Sequence, residues 1–249
     1  MKYLITLICL AIATIGRGQD QDNFDKATTL YQKGDYTQAA AVYSSILKSG
    51  KESSALYYNL GNTYYKLNNV PESIYYYEKA LQLDPENADA KNNLIFANQM
   101  KVDAITPLPK TWVRQLSDGI VGLFSAHTWA VLSIIGVFAF VLSFLLYYFV
   151  ERTALKRTFF SLMLVFLFFA IGSYTLAHFC HKQVSQTQYA ILFDKTVRVF
   201  SDANAYSSEV MQLHEGTKVE IIEDAKDWVK IRLVNGKTGW TKVSSLRKL

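Results

Sequence analysis

The sequence repeats itself in its N-terminal part, and this self-similarity restricts the possible folds more than any other feature. The interval is about 34 residues, which lies in the range typical of stacked repeat architectures. Shifting the chain by this interval superimposes two segments without a gap. The matched pairs are Tyr31 with Tyr65, Gly34-Asp35 with Asn68-Asn69, Ala39-Ala40 with Ser73-Ile74, Tyr43 with Tyr77, and Ile46-Leu47 with Ala80-Leu81. A repeat of this size cannot bury its apolar face alone, so we expect neighbouring repeats to stack.

The second segment has the spacing of a known helical repeat. It reads Tyr57-x-x-Leu60-Gly61-x-x-Tyr64, then Ser73-x-x-x-Tyr77, Ala80 and Pro85. This pattern resembles the tetratricopeptide repeat (TPR), with Tyr in place of the family's Trp and Phe. The resemblance implies a helix, a tight turn and a second helix in each repeat. We predict an all-α TPR solenoid at 20–101, with repeats at about 20–53 and 54–87 and a capping helix at 88–100.

The TPR resemblance also implies a surface for a protein partner. In tetratricopeptide proteins the first helix of each repeat lines a concave groove. The matching positions are Tyr58, Asn59, Asn62, Tyr65 and Lys66 in the second repeat, beside Phe24, Thr28 and Tyr31 in the first. Amide side chains there can pair with the backbone of an extended peptide. The alternative interpretation, that the tyrosines pack between helices, stays open, and Phe24 stands where the family's carboxylate clamp has Lys.

The segment at 1–18 has the pattern of a secretory signal peptide. Lys2 precedes an apolar run from Tyr3 to Ile15, which is too short to span about 30 Å of hydrocarbon, and small Gly16 and Gly18 follow. We predict cleavage near Gly18. An uncleaved signal anchor is the alternative.

Two later runs are long enough to cross a bilayer. Residues 128–150 and 159–180 contain no Asp, Glu, Lys or Arg, and as helices each would reach roughly 33 Å. We predict a two-helix transmembrane hairpin, because neither run has a polar stripe. The connection at 151–158 carries Arg152, Lys156 and Arg157, which favours a cytoplasmic loop. The expected location is the bacterial inner membrane, with both soluble domains on the periplasmic side.

The segment at 102–127 is predicted to be a linker. Pro107 and Pro109 begin it, and Trp112, Leu116 and Ile120 then recur at helical spacing. We consider two interpretations: an interfacial helix lying on the outer leaflet, or an irregular juxtamembrane loop.

The C-terminal segment changes to the pattern of short strands. Five apolar stretches are separated by turn signals, of which Asn235-Gly236 is the strongest. The spacing of Trp228, Ile231, Gly239 and Trp240 resembles a bacterial SH3 domain, which implies an all-β SH3-like barrel at 189–248. We expect Trp228 in the core and propose Trp240 as a surface aromatic for ligand binding. The ligand class implied by the resemblance is a cell-wall peptide or a protein.

No sequence motif indicates catalysis or a cofactor. The chain lacks the motifs for nucleotide phosphate, for a zinc protease and for a nucleophilic serine. The spacing would let His178 and His181 share a helix face near Cys180, but one thiolate and two imidazoles lack a fourth ligand, so we expect interfacial histidines rather than a metal site. A net charge of +5 without a basic stripe gives no reason to expect nucleic acid as a partner. We therefore expect no enzyme activity.

The order of these segments is itself informative. A signal peptide, two repeats, a membrane hairpin and a bacterial SH3 domain resemble the BatE-type TPR proteins of the Bacteroides aerotolerance operon. The resemblance implies a periplasm-facing scaffold, related to aerotolerance or envelope stress, whose partners are von Willebrand factor A-domain membrane proteins and a MoxR-type ATPase system. The second hypothesis is a sensor whose barrel binds peptidoglycan.

Overall fold

A computed structural model describes residues 21–109 and 111–249, except for the side chains of residues 113, 114, 118 and 183–186. The predicted signal peptide at 1–18 lies outside the described residues. The chain forms two compact units. One combines the described residues up to Pro107 with Gln188–Leu249, and the other is Leu108–Thr187.

The N-terminal part of the first unit consists of five helices. They are α1 (21–32), α2 (Tyr36–Lys48), α3 (Ser54–Lys66), α4 (Val70–Leu83) and α5 (Ala88–Gln99). The turns that separate the paired helices carry positive φ angles at Gly34 (83°) and Asn68 (56°), which are equivalent positions of the two repeats. The next residue in each turn caps the following helix, since Asp35 accepts from Gln38 N and Asn69 accepts from Glu72 N. The two turns therefore occupy equivalent positions of the two predicted repeats.

Close packing of α3 against α4 depends on a small residue. A Cβ added at Gly61 would lie 2.5 Å from Cδ1 of Tyr77, and the buried Ser73 hydroxyl donates to the Gly61 carbonyl at 3.1 Å. Tyr43, Tyr57, Tyr76 and Tyr77 are all buried. These four tyrosines thus pack between helices, and none of them belongs to the predicted groove set.

The capping helix α5 covers the second repeat mainly with alanine. Ala90 and Ala97 are fully buried and Leu94 packs beside them, whereas Ile95 and Gln99 are exposed. The spacing 90, 94, 97 lies on one helix face, and Ile95 lies about 100° around the axis from Leu94. The apolar residues of the sequence did not by themselves identify this face of α5, because two of its three contacts are made by the small side chains of Ala90 and Ala97.

The C-terminal part of the first unit is an antiparallel seven-stranded sheet with the order β3-β2-β6-β5-β4-β1-β7. The strands are β1 (Gln188–Leu192), β2 (Thr196–Phe200), β3 (Glu209–His214), β4 (Lys218–Ala225), β5 (Trp228–Arg232), β6 (Thr238–Lys242) and β7 (Leu246–Lys248). The hairpin at Asn235-Gly236 forms as predicted, with Arg232 opposite Thr238. The five predicted strands omitted β3, which has no clean alternation, and β7, which is very short.

The barrel docks directly on the repeats, and the sequence did not predict this contact. Ile191 of β1 is fully buried in one cluster with Ile74, Tyr77 and Ala97. At the edge of the contact, Arg247 forms two hydrogen bonds of 2.8 and 2.9 Å with Glu72, and its guanidinium lies 4.1 Å from the ring centroid of Phe193. The repeats and the barrel therefore share a buried apolar cluster at their contact.

The second unit consists of three helices, α6 (Trp112–Val121), α7 (Ala126–Phe149) and α8 (Thr153–Gln186). Two segments, Ala126–Phe149 and Thr153–Lys182, have mean hydropathies of 2.5 and 2.1 and are long and apolar enough to cross a membrane. Helix α8 begins at Thr153 rather than at Phe159, so the connection to α7 is shorter than the predicted loop at 151–158. The apolar run could not show this, because the charged residues that precede it are also good helix formers.

Helices α7 and α8 pack through small residues. The buried positions of α7 are Trp129, Gly136 and Ser143, which are evenly spaced along the helix. A Cβ added at Gly136 would lie 3.1 Å from Cβ of Ala170, and the Ser133 hydroxyl donates to the Ala170 carbonyl at 3.0 Å. Close approach at Gly, Ala and Ser with an interhelical hydrogen bond is typical of helices in lipid.

Candidate functional site

The repeats form a cavity of about 190 Å³ between α1, α3, α4 and α5. Its lining residues are Tyr31, Asn62, Tyr65, Lys66, Tyr77, Asn93 and Phe96. Three of the five groove residues predicted from the sequence, Asn62, Tyr65 and Lys66, are therefore brought together here. Lys66 is exposed at the end of α3 and supplies the cationic group of the site.

A hydrogen-bonded pair of amides lies in this cavity. Oδ1 of Asn62 accepts from the Tyr77 hydroxyl at 2.6 Å and from Nδ2 of Asn93 at 2.8 Å, and Nδ2 of Asn93 also donates to the Tyr58 hydroxyl at 3.3 Å. Within the described part of the chain, these bonds leave Nδ2 of Asn62 and Oδ1 of Asn93 without a hydrogen-bond partner. The site thus presents one donor and one acceptor, which is what a peptide group requires.

Burial fixes the protonation state of the tyrosine that orients Asn62. Desolvation raises the pKa of Tyr77 well above its ordinary value of 10.0, and the neighbouring Tyr58 and Tyr31 add to the increase. Its hydroxyl therefore remains a donor to Asn62 even at alkaline pH. Desolvation also raises the pKa of Tyr31, so this second tyrosine of the cavity stays neutral.

The remaining predicted groove residues have structural contacts. Tyr58 is partly buried against the repeat core and against the cluster that the repeats share with the barrel. Asn59 is half-buried, and its carbonyl accepts a hydrogen bond from the Thr63 hydroxyl at 2.7 Å. Phe24 packs edge-on against Tyr43 with centroids 5.5 Å apart, while Thr28 shares a hydrogen bond with the same tyrosine. None of these four lines the cavity.

Sequence reasoning missed Tyr77, Asn93 and Phe96 as groove residues. Tyr77 was identified only as a packing position of the repeat, and α5 only as a cap. A signal was available, because α5 occupies the place of the first helix of a third repeat. Asn93 follows Asn59 at the same interval that separates Tyr31 from Tyr65.

The barrel has a separate open pocket of about 810 Å³. Aromatic Tyr206 and Trp228 line it together with Lys226, Asp227 and Lys242. Tyr206 is fully exposed, and Trp228 is half-buried against Phe200, with ring centroids 5.6 Å apart, rather than part of the buried core. Trp240, the surface aromatic named from the sequence, is half-buried beneath Lys230 at 5.7 Å and does not line this pocket.

A carboxylate of the linker fastens the repeats to the barrel. Asp103 accepts from His214 N, from Thr217 Oγ1 and from the His214 ring, each at 2.7 Å. Burial by itself raises the pKa of Asp103, but the hydrogen bonds from His214 and Thr217 outweigh it and hold the pKa below its ordinary value. Desolvation lowers the pKa of the neighbouring Lys101, since this ammonium is also partly buried.

The His178, Cys180 and His181 segment does not assemble a metal site within the described residues, where no group of three His, Cys, Asp or Glu side chains is placed to hold an ion. Cys180 is buried, and its thiol points to the Val121 carbonyl at 3.8 Å. His178 stacks on Tyr174, one turn earlier on the same helix.

Comparison with known proteins agrees with both soluble folds. Residues 24–88 match the tetratricopeptide repeat family, and residues 195–246 match the bacterial SH3 domain family. No curated protein matched the sequence. The chain therefore combines a tetratricopeptide repeat region and a bacterial SH3 domain with two apolar helices between them.

Proposed function

We propose that the protein is a non-enzymatic, membrane-anchored adaptor whose TPR groove binds an extended segment of another protein. The observation that carries the proposal is the pair formed by Asn62 and Asn93. Nδ2 of the first and Oδ1 of the second can bond the carbonyl and the amide of one peptide group, while tyrosine rings and Phe96 supply apolar contact. Lys66 adds a preference for an acidic or carboxylate-bearing side chain.

The proposed location is the inner membrane, with both domains in the periplasm. The barrel contacts the repeats through Ile191 and Arg247, so the two domains must be on the same side of any membrane. An even number of crossings between them satisfies this requirement, and α7 and α8 provide two. The basic residues near Thr153 favour the cytoplasm for the connection.

The partners that the BatE-type resemblance implies, von Willebrand factor A-domain proteins and a MoxR-type ATPase system, are part of the proposal. A docked pair of interaction domains close to a membrane raises the local concentration of anything bound to either one. Such an adaptor would assemble a complex at the membrane without chemistry of its own. A role in aerotolerance or envelope stress follows from the same resemblance.

Photocrosslinking tests the groove directly. Phe96 and Ile95 are adjacent on α5 and nearly equally exposed, at 54% and 57%, but only Phe96 lines the cavity. With benzoylphenylalanine at each position in turn, we expect discrete crosslinked membrane proteins from position 96 and not from position 95. The products should disappear with Asn62→Ala and Lys66→Glu, and should persist with the matched pair Asn92→Ala and Lys91→Glu on α5. Identical products from both positions would contradict a groove interaction.

The orientation has its own test. A membrane-impermeant thiol reagent should label a cysteine introduced at Ser49 in intact spheroplasts and should not label one at Thr153. Labelling at Thr153 alone would reverse the proposed topology.

A second candidate function is peptidoglycan binding by the barrel. The open pocket with Tyr206 and Trp228 favours it, because aromatic rings pack on sugar faces and Lys226 and Lys242 can pair with the carboxylates of stem peptides. The full-length protein in detergent should co-sediment with purified sacculi. Lys242→Glu should weaken sedimentation, whereas Lys237→Glu, an equal charge change outside the pocket, should not. Equal behaviour of the two variants would exclude this pocket as the binding site.

A further inference from the structure

Helix α6 exposes an apolar stripe that nothing in its own unit covers among the described residues. Trp112, Leu116 and Ile120 follow one another about one helical turn apart and are 75%, 59% and 42% exposed. Leu123 and Phe124 continue the exposed apolar surface beyond the helix end. Contiguous apolar surface of this kind usually marks a contact with a membrane or a partner.

The C-terminal end of α6 is fixed to the two apolar helices. The Val121 carbonyl accepts from the Trp129 indole at 3.4 Å and from the Cys180 thiol at 3.8 Å. The Val121 side chain packs against the cluster of Trp129, Ala177 and Cys180. Trp129 lies in the first turn of α7 and Cys180 lies at the end of the apolar run in α8, so α6 is held where both apolar stretches meet their polar flanks.

The stripe is directed away from this attachment. Val121 lies about 140° around the helix axis from Leu116, at roughly 100° per residue. The contacts with α7 and α8 therefore leave the stripe outside the packed cluster. The contacts of Val121 nevertheless fix the position of the stripe along the axes of α7 and α8.

We propose that α6 lies in the plane of the bilayer interface, with Trp112, Leu116 and Ile120 inserted at the boundary between headgroups and acyl chains. The inference rests on the proposed membrane anchoring. Lipid is the occupant that the observations favour, because the stripe is attached at the level where the exposed apolar surfaces of α7 and α8 end. Tryptophan is also the side chain best suited to that boundary. In this arrangement α6 limits how deeply the hairpin can be inserted.

Depth measurement with nitroxide spin labels tests the proposal. Full-length protein with Cys9→Ser and Cys180→Ser receives a single cysteine at Leu116, Gln115, Phe138 or Ala203 and is reconstituted in vesicles of phosphatidylethanolamine and phosphatidylglycerol. Phe138, exposed near the middle of α7, is the lipid reference, and Ala203, exposed on the barrel, is the aqueous reference. Gln115 is the matched control, since it neighbours Leu116 but lies about 100° around the axis.

We expect the ratio of oxygen to nickel-chelate accessibility at Leu116 to exceed that at Ala203 several-fold, with Gln115 between them. A ratio at Leu116 equal to that at Ala203 would place α6 in water and overturn the inference. Protection of Leu116 from both reagents would replace lipid with protein, such as a second copy, and overturn it as well. Failure of Phe138 to show lipid contact would instead overturn the membrane anchoring.

A measurement on the otherwise unmodified chain guards against perturbation by the label. Brominated lipids should quench the tryptophan fluorescence of the wild type more strongly than that of Trp112→Phe. Equal quenching of the two proteins would contradict insertion of Trp112.

Discussion

Helices α4 and α7 are both rich in apolar residues, but α4 at least partly buries most of its large apolar side chains whereas α7 exposes most of its own. Helix α4 buries Ile74, Tyr76 and Tyr77 together with the smaller Pro71, Ser73 and Ala80. Helix α7 buries Gly136 and Ser143, together with one aromatic, Trp129, and leaves Phe138 and its aliphatic neighbours exposed. The comparison teaches that the pattern of buried residues distinguishes the two helices better than their composition does.

The physical reason is that an exposed apolar side chain contacts water in one case and would contact lipid in the other. In water, burying a large apolar side chain stabilises the fold by about 1.5 to 3 kcal/mol. In lipid the same side chain gains little from burial, so close contact between small residues and hydrogen bonds decide which faces meet. The contact of Gly136 with Ala170 has this character.

A charge placed on the exposed surface of α7 should have the largest effect. We expect Phe138→Lys to disfavour membrane insertion by about 3 to 4 kcal/mol, because Lys replaces an apolar group near the helix centre. Ile95→Lys on α5, which is exposed in the first unit, should change the stability of the repeats by less than about 0.5 kcal/mol. Glycosylation mapping in microsomes measures the insertion of Phe138→Lys, and thermal unfolding measures the stability of Ile95→Lys. Normal insertion of Phe138→Lys would mean that α7 does not face lipid.

Removing the same atoms from a hidden and an exposed isoleucine sharpens the comparison. Ile74 is 1% exposed and Ile135 is 55% exposed. Ile74→Ala should destabilise the first unit by about 3 kcal/mol through the cavity it leaves. Ile135→Ala should cost less than about 0.5 kcal/mol in unfolding experiments on the reconstituted protein. Similar losses from both substitutions would show that α7 is packed like a soluble core helix.

Two serine hydrogen bonds, one buried at Ser73 and one part-buried at Ser133, compare polar contacts in the two units. Ser73→Ala removes a bond of 3.1 Å to Gly61 and should cost about 1 kcal/mol. Ser133→Ala removes a bond of 3.0 Å to Ala170 and should cost about 0.6 kcal/mol. Denaturant titrations of each variant and of the wild type measure these losses in the free energy of unfolding. A much larger loss for Ser133→Ala would show that lipid strengthens this contact beyond expectation.

Acid should destabilise the first unit through Asp103. The pKa of Asp103 is lower in the folded protein than its ordinary value of 3.8, so its carboxylate stabilises docking of the barrel above that pH. This stabilisation is lost as the pH falls through the folded pKa.

The thermal midpoint of the first unit, followed from pH 7 down to pH 3, measures this dependence. Asp103→Asn should lower the midpoint at pH 7 and make the acid dependence shallower than in the wild type. If the thermal midpoints of the wild type and Asp103→Asn fell in parallel with pH, Asp103 would not be the cause of the acid dependence.

Particular residues show how far sequence alone reaches. The repeat interval placed Gly34 and Asn68 at equivalent left-handed turns, and Asn235-Gly236 marked a hairpin that forms. The two apolar runs predicted two long helices. Each of these features is local, because backbone conformation and periodicity are properties of neighbouring residues.

Contacts between distant segments were decided only by the tertiary structure. Nothing in the spacing indicated that Ile191 would share a core with Ile74 and Tyr77, or that Asp103 would bond His214 and Thr217. The same holds for the groove, where Asn62 meets Asn93 only because α5 packs as the next helix of the solenoid. The sequence by itself determined the modules and their order, since these depend on local patterns. The tertiary structure decided how the repeats and the barrel combine and which side chains form the site, because those outcomes depend on surfaces that only the folded chain brings together.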